Sequence, residues 1–102
     1  MKISLITNSI FDGCTYEGDE SFRKDLPPGT AEWAVNEQGA PASLIFICPC
    51  GCGAICHVPV QPAVPYGWSW NGSMDRPTLA PSILRTTGCR WHGYLRDGDF
   101  TV

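Results

Sequence analysis

Cys48-Pro49-Cys50-Gly51-Cys52-Gly53 sets three thiols at alternate positions, and Cys89-Arg90-Trp91-His92 adds a thiol and an imidazole at Cys-x-x-His spacing. The glycines of the first run let the backbone bend so that its thiols converge on a shared centre. A tetrahedral zinc ion needs four N or S ligands at about 2.0–2.3 Å, of which a tight turn supplies two or three and a distant segment the rest. Cys48, Cys50, Cys52, Cys89 and His92 are therefore the candidate Zn2+ ligands, five residues for four positions. The spacing leaves open whether Cys48 and Cys52 bind with Cys50 turned away, or Cys50 and Cys52 bind as a Cys-x-Cys pair. Without a metal, three close cysteines would be core residues or a disulfide pair, but adjacent free thiols oxidise readily and the second cluster weighs toward a metal. A Rieske-type iron–sulfur site would want a Cys-x-His motif in the first segment, and none stands there.

The elements that must position these residues read as strands. Nine prolines and eleven glycines cut the chain into short pieces, and almost no window repeats apolar residues at helical spacing. Stretches rich in β-branched and aromatic residues predict strands over Lys2 to Thr7, Glu32 to Asn36, Ser43 to Cys48, Ala54 to Val60, Gly67 to Trp70, Ser82 to Thr86 and Trp91 to Leu95. Asp19 to Lys24 is the best helix candidate, a polar turn stopped by Pro27-Pro28. Asn71-Gly72 and Asp97-Gly98 read as hairpin turns. The prolines of Arg76 to Ile83 are expected to keep that stretch out of central ladder positions, packed over a sheet edge. Alternation along a strand puts Cys56 in the core and His57 in solvent, while Cys14, in a polar loop, is expected to stand apart. The fold class expected is mainly β: a small curled sheet or sandwich with little helix, pinned by a zinc knuckle, with residues 1–102 forming one domain.

Composition narrows the function. Seven Lys and Arg against ten Asp and Glu, a net charge of -3, leave no basic stripe for a phosphate backbone, so no nucleic-acid partner is expected. The longest apolar run, Leu44 to Cys48, falls far short of the roughly 20 residues that cross a bilayer, so no membrane partner is expected either. No signal-peptide pattern opens the sequence, which reads as cytoplasmic, and in a reducing compartment six cysteines favour metal ligation over disulfides. Trp68 and Trp70 share one strand face and Trp91 lies between two candidate ligands, so the three could line a ligand slot, although aromatics in a small β protein are more often core.

Together these pieces resemble an uncharacterised family of small proteins found in phages and in bacterial gene clusters that encode ubiquitin-like conjugation enzymes. The resemblance rests on Leu26 to Gly29, the Cys48 to Gly53 turn, Trp68 to Gly72, Pro77 to Ile83 and Gly88 to Gly98, in that order, and covers most of the chain. Some phage members carry the label ammonia monooxygenase, which the motifs do not support. The resemblance implies a metal site rather than a reaction, in the host cytoplasm where the gene is phage-borne.

Three functions follow as expectations. The first is a structural zinc site in a module that binds a host or phage protein and is not an enzyme. It is favoured because no Gly-x-Ser-x-Gly elbow, His-Glu-x-x-His helix or phosphate-cradling loop occurs. The second is a zinc hydrolase with an open coordination position and Asp75 or Asp99 as general base, disfavoured because several thiolates weaken the pull of the metal on a bound water. The third is a small-ligand sensor with a tryptophan-lined pocket.

Overall fold

A computed structural model describes residues 1–6, 26–84 and 89–102. Eight strands run in chain order: β1 (Ser4–Leu5), β2 (Thr30–Val35), β3 (Pro41–Ile47), β4 (Ile55–Pro59), β5 (Ser69–Trp70), β6 (Leu79–Leu84), β7 (His92–Arg96) and β8 (Asp99–Thr101). They form two four-stranded sheets, ordered β1-β2-β3-β4 and β5-β6-β7-β8. All pairs are antiparallel except β1 with β2. The protein is all-β, with no helix among the described residues. The expected helix at Asp19 to Lys24, and Cys14, lie outside those residues.

The core forms where the inner faces of the two sheets meet. Leu44, Phe46 and Val58 from the first sheet pack with Leu79, Ile83, Leu95 and Phe100 from the second. β3 is central and buried on both sides. Its alternate residues Ile45 and Ile47 join Ile55 in a second cluster, against which Ile6, Leu26 and Ala34 pack. That is why Leu44 to Cys48 reads as an unbroken apolar run rather than an alternating one.

Two turns follow their residues closely. Asn36 accepts hydrogen bonds on Oδ1 from the amides of Gln38 and Ala40, closing the β2–β3 connection. Asp97 and Gly98 have φ of 52° and 74°, the left-handed pair that a two-residue hairpin between β7 and β8 needs. Asn71-Gly72 differs from the expected tight hairpin. The Asn71 side chain instead organises the loop from β5 to β6, accepting from the amides of Ser73 and Thr78 and donating to the Arg76 carbonyl.

The proline segment is a second difference. Leu79–Leu84 is not an edge cover but the central strand β6, between β5 and β7. Its ladder with β7 is irregular, pairing Leu79 with Leu95 and Ile83 with Gly93 and shifting register between them. Pro81, which has no N–H to give, sits inside that irregular stretch, so the strand keeps its central place at the cost of a broken ladder. Ser82 sits there too.

Candidate active site and metal centre

β3 runs directly into the thiol turn. Cys48 is fully buried, its amide donates to the Ala54 carbonyl at 2.8 Å, and the Gly51 amide donates back to the Cys48 carbonyl at 3.2 Å. Gly51 and Gly53, with φ of 93° and 84°, take the left-handed conformations that fold the turn over itself. Cys89 arrives from the far side, so that the sulfurs of Cys48, Cys50, Cys52 and Cys89 all lie within 4.8 Å of one another. Cys48 Sγ stands 3.3 Å from Cys50 Sγ and 3.5 Å from Cys89 Sγ, and the Ala54 amide donates to Cys52 Sγ at 3.4 Å.

These four residues fit a metal ion. Zn–S bonds of about 2.3 Å in a tetrahedron put sulfurs about 3.8 Å apart, close to the spread seen here. Burial pushes the Cys48 thiol well above its ordinary range, and burial raises Cys50 as well. Thiols packed this closely around a buried Cys48 are costly to ionise together, and a cation at their centre reverses that balance. The spacing had left open which cysteine of the turn stands aside; the geometry gathers all three.

His92, the fifth candidate, lies outside this group. Cys89 turns in to the thiols, Arg90 takes a left-handed φ of 55°, Trp91 drops into the core and His92 emerges exposed on the opposite face of β7. There its Nε2 lies 2.9 Å from Ser82 Oγ on β6. The outward positions of the two strands meet: His92 pairs in register with Leu84, two residues from Ser82, and the register shift beside Ser82 leaves it free to reach the imidazole. The Trp68 indole N–H donates to the Ser82 carbonyl at 3.4 Å, which ties the serine's backbone to the residue just before β5. A serine hydroxyl within hydrogen-bond reach of an imidazole is the geometry that a nucleophile and its general base require.

Sequence reading did not single out Ser82, because it took the Pro77 to Ile83 stretch as covering. The signal available was the surplus ligand: four thiols complete a site, so the leftover histidine is free for other work. Among the other candidates, Trp91 is only 8% exposed and packs edge-on against Phe46 and Phe100, a core residue. Trp68 and Trp70 are half-buried against the core, and the Trp70 ring packs at a tilt on Trp33, centroids 4.9 Å apart. Cys56 is buried and His57 exposed, as alternation requires. Asp99 pairs with the Met1 ammonium, and Asp75 lines a cavity by Trp33 and Met74; neither belongs to the thiol group.

No curated protein and no solved structure matches the chain. A family model does, over residues 18–102: BubE, described as the serine protease of a bacterial ubiquitination-like system. This match overturns three expectations. The resemblance to an uncharacterised family without a reaction gives way to a family with a named activity. The inert protein-binding module, the zinc hydrolase and the ligand sensor give way to a protease that uses a serine. The expectation that the chain is not an enzyme falls with them, since it rested on missing elbow and helix motifs, whereas a nucleophile and its base are recognised by geometry rather than by a shared local sequence. With the match spanning most of its length, the chain belongs to the BubE family of serine proteases from bacterial ubiquitination-like systems.

Proposed function

We propose that the chain hydrolyses a peptide or isopeptide bond in a protein of such a system, with Ser82 as nucleophile and His92 as its general base. The single observation that carries this reading is the 2.9 Å contact between His92 Nε2 and Ser82 Oγ. When Nε2 is unprotonated it accepts the hydroxyl hydrogen. Attack of Oγ on the scissile carbonyl then passes the proton to the imidazole, which returns it to the leaving amine, and water repeats the cycle to release the acyl group. The half-buried Ser82 and exposed His92 face solvent from a sheet, so an extended chain can be laid across them without opening the core.

The thiols have a separate task in this reading. Cys48, Cys50, Cys52 and Cys89 would hold a zinc ion that crosslinks the turn after β3 to the residue three positions before His92, and so fixes the start of β7. Zinc bound by four thiolates supplies folding energy rather than Lewis acidity.

Labelling with a fluorophosphonate, followed by intact mass and peptide mapping, tests the assignment. The wild-type protein is expected to gain one adduct, on Ser82. Ser82→Ala is expected to gain none and His92→Ala to label far more slowly, both with unchanged zinc content and circular dichroism. An adduct on another serine, or labelling that persists in Ser82→Ala, would overturn it.

A further inference from the structure

β7 continues past His92 with Tyr94 and Arg96 at alternate positions, so the three side chains share the outward face while Gly93 and Leu95 are buried. They touch in series. The Tyr94 ring centroid lies 6.3 Å from that of His92, and the Arg96 guanidinium carbon lies 4.3 Å over the Tyr94 ring. Stacking on an aromatic face takes a long side chain out of free rotation and leaves the in-plane N–H donors of the guanidinium available.

Those donors have no carboxylate partner among the described residues. Asp99, directly opposite Arg96 in register on β8, is held by the Met1 ammonium, and Asp97 is paired with Arg76. A fixed, unneutralised cation one ring beyond the general base, on a chain of net charge -3, is placed to receive a negative group. The two ring contacts span a distance that about three residues of extended chain cover. A guanidinium fork matches a carboxylate better than any other common anion of a peptide.

We propose that Arg96, held by Tyr94, is a specificity-determining residue of the Ser82 site, and that it takes a substrate carboxylate carried about three residues from the scissile bond. That carboxylate is either an Asp or Glu side chain or the C-terminal carboxylate of a short tail. The inference rests on Ser82 and His92 being the catalytic pair.

The test uses the zinc-loaded full chain and a proteome-derived peptide library, with cleavage sites read by mass spectrometry. Wild type is expected to cut where an acidic residue or a free C-terminus stands about three positions from the bond. Synthetic peptides built on the best site then separate the two sources: Glu→Gln loses the preference if the side chain is read, C-terminal amidation if the terminus is. Arg96→Gln is expected to raise KM for the preferred peptide about tenfold with kcat nearly unchanged, the pattern of lost ground-state binding. Arg96→Lys restores part of the affinity, and Tyr94→Leu weakens binding in the same direction. Lys2→Gln, the same change of net charge at an exposed residue outside the catalytic pair, serves as the control. Equal effects from Lys2→Gln and Arg96→Gln, the absence of acidic enrichment, or no cleavage by a protein whose Ser82 labels with fluorophosphonate would each overturn the inference and leave the catalytic pair standing. Failure of Ser82 to label removes both.

Discussion

The thiol turn and the Ser82–His92 pair are built to opposite specifications from neighbouring chain. The turn lies where β3 leaves the core: Cys48 is fully buried, and backbone hydrogen bonds cross-brace the loop on both sides of it. Ser82 and His92 stand on the open face of a sheet whose other face is core, joined side chain to side chain by one hydrogen bond. Among the described residues the two regions share the stretch Cys89 to His92, where one residue turns inward to the sulfurs, one drops into the core and one faces out. Dependence should therefore run one way. Damage to the thiols displaces the histidine, whereas removal of the hydroxyl or imidazole leaves the thiols as they are.

The largest effect that would break this asymmetry is on turnover. Ser82→Ala is expected to lower kcat/KM by at least about a thousandfold, as loss of a nucleophile does. His92→Ala is expected to approach it, since its proton transfer serves every step. Thermal denaturation and zinc content by mass spectrometry are expected to match wild type in both. Loss of zinc from His92→Ala would mean that the imidazole is a ligand after all and that the division of labour drawn here is wrong.

Next comes stability. Cys89→Ser is expected to lose the metal and several kcal/mol of folding free energy, on the order of what a structural zinc site supplies. Activity falls with it, because the start of β7 loses its anchor. Denaturant titration beside zinc analysis reads both, and a chelator should reproduce the variant in the wild-type protein. A Cys89→Ser protein that folds normally and cleaves at the wild-type rate would show that the thiols do not position His92.

Gly93 sharpens the comparison from inside β7. A Cβ there would overlap the Thr101 carbonyl oxygen and the Trp91 ring, neither of which can swing aside, one being backbone and the other buried edge-on against Phe46 and Phe100. Gly93→Ala is expected to cost about 1–3 kcal/mol through overpacking. It should also shift His92 relative to Ser82, lowering kcat more than the stability loss explains, with zinc content unchanged. Equal activity at a temperature where both proteins are folded would show that the pair tolerates movement of its strand.

What the sequence disclosed follows the same division. The thiols were legible because a metal site in a turn is local: spacing and glycines nearly define it. The all-β class was legible because Val, Ile, Tyr and Trp runs broken by Pro and Gly admit little else. Ser82 was not, because its role comes from a neighbour ten residues away, across a ladder whose register shifts at the very position concerned. Pro81 hid it further by arguing for an edge, whereas β6 holds a central place with an irregular ladder. His92 was assigned to the metal because Cys-x-x-His spacing suits a zinc site equally well. Only Arg90, at a left-handed φ, and the alternation of Trp91 and His92 send the imidazole to the other face.

The smallest effect tests the boundary of the thiol site. Cys56 pairs in register with Phe46, is 6% exposed and belongs to the hydrophobic core, while its sulfur is not one of the four that converge. Cys56→Ala should therefore behave as the trimming of a small buried side chain, costing about 1 kcal/mol. Zinc stoichiometry, four-sulfur coordination by X-ray absorption and cleavage rate are all expected to stay at wild-type values. A sulfur count that drops from four to three in this variant would move the metal deeper, onto β4. The link from the metal through Cys89 to His92 would then lose its structural basis, because a site centred on β4 need not hold the start of β7.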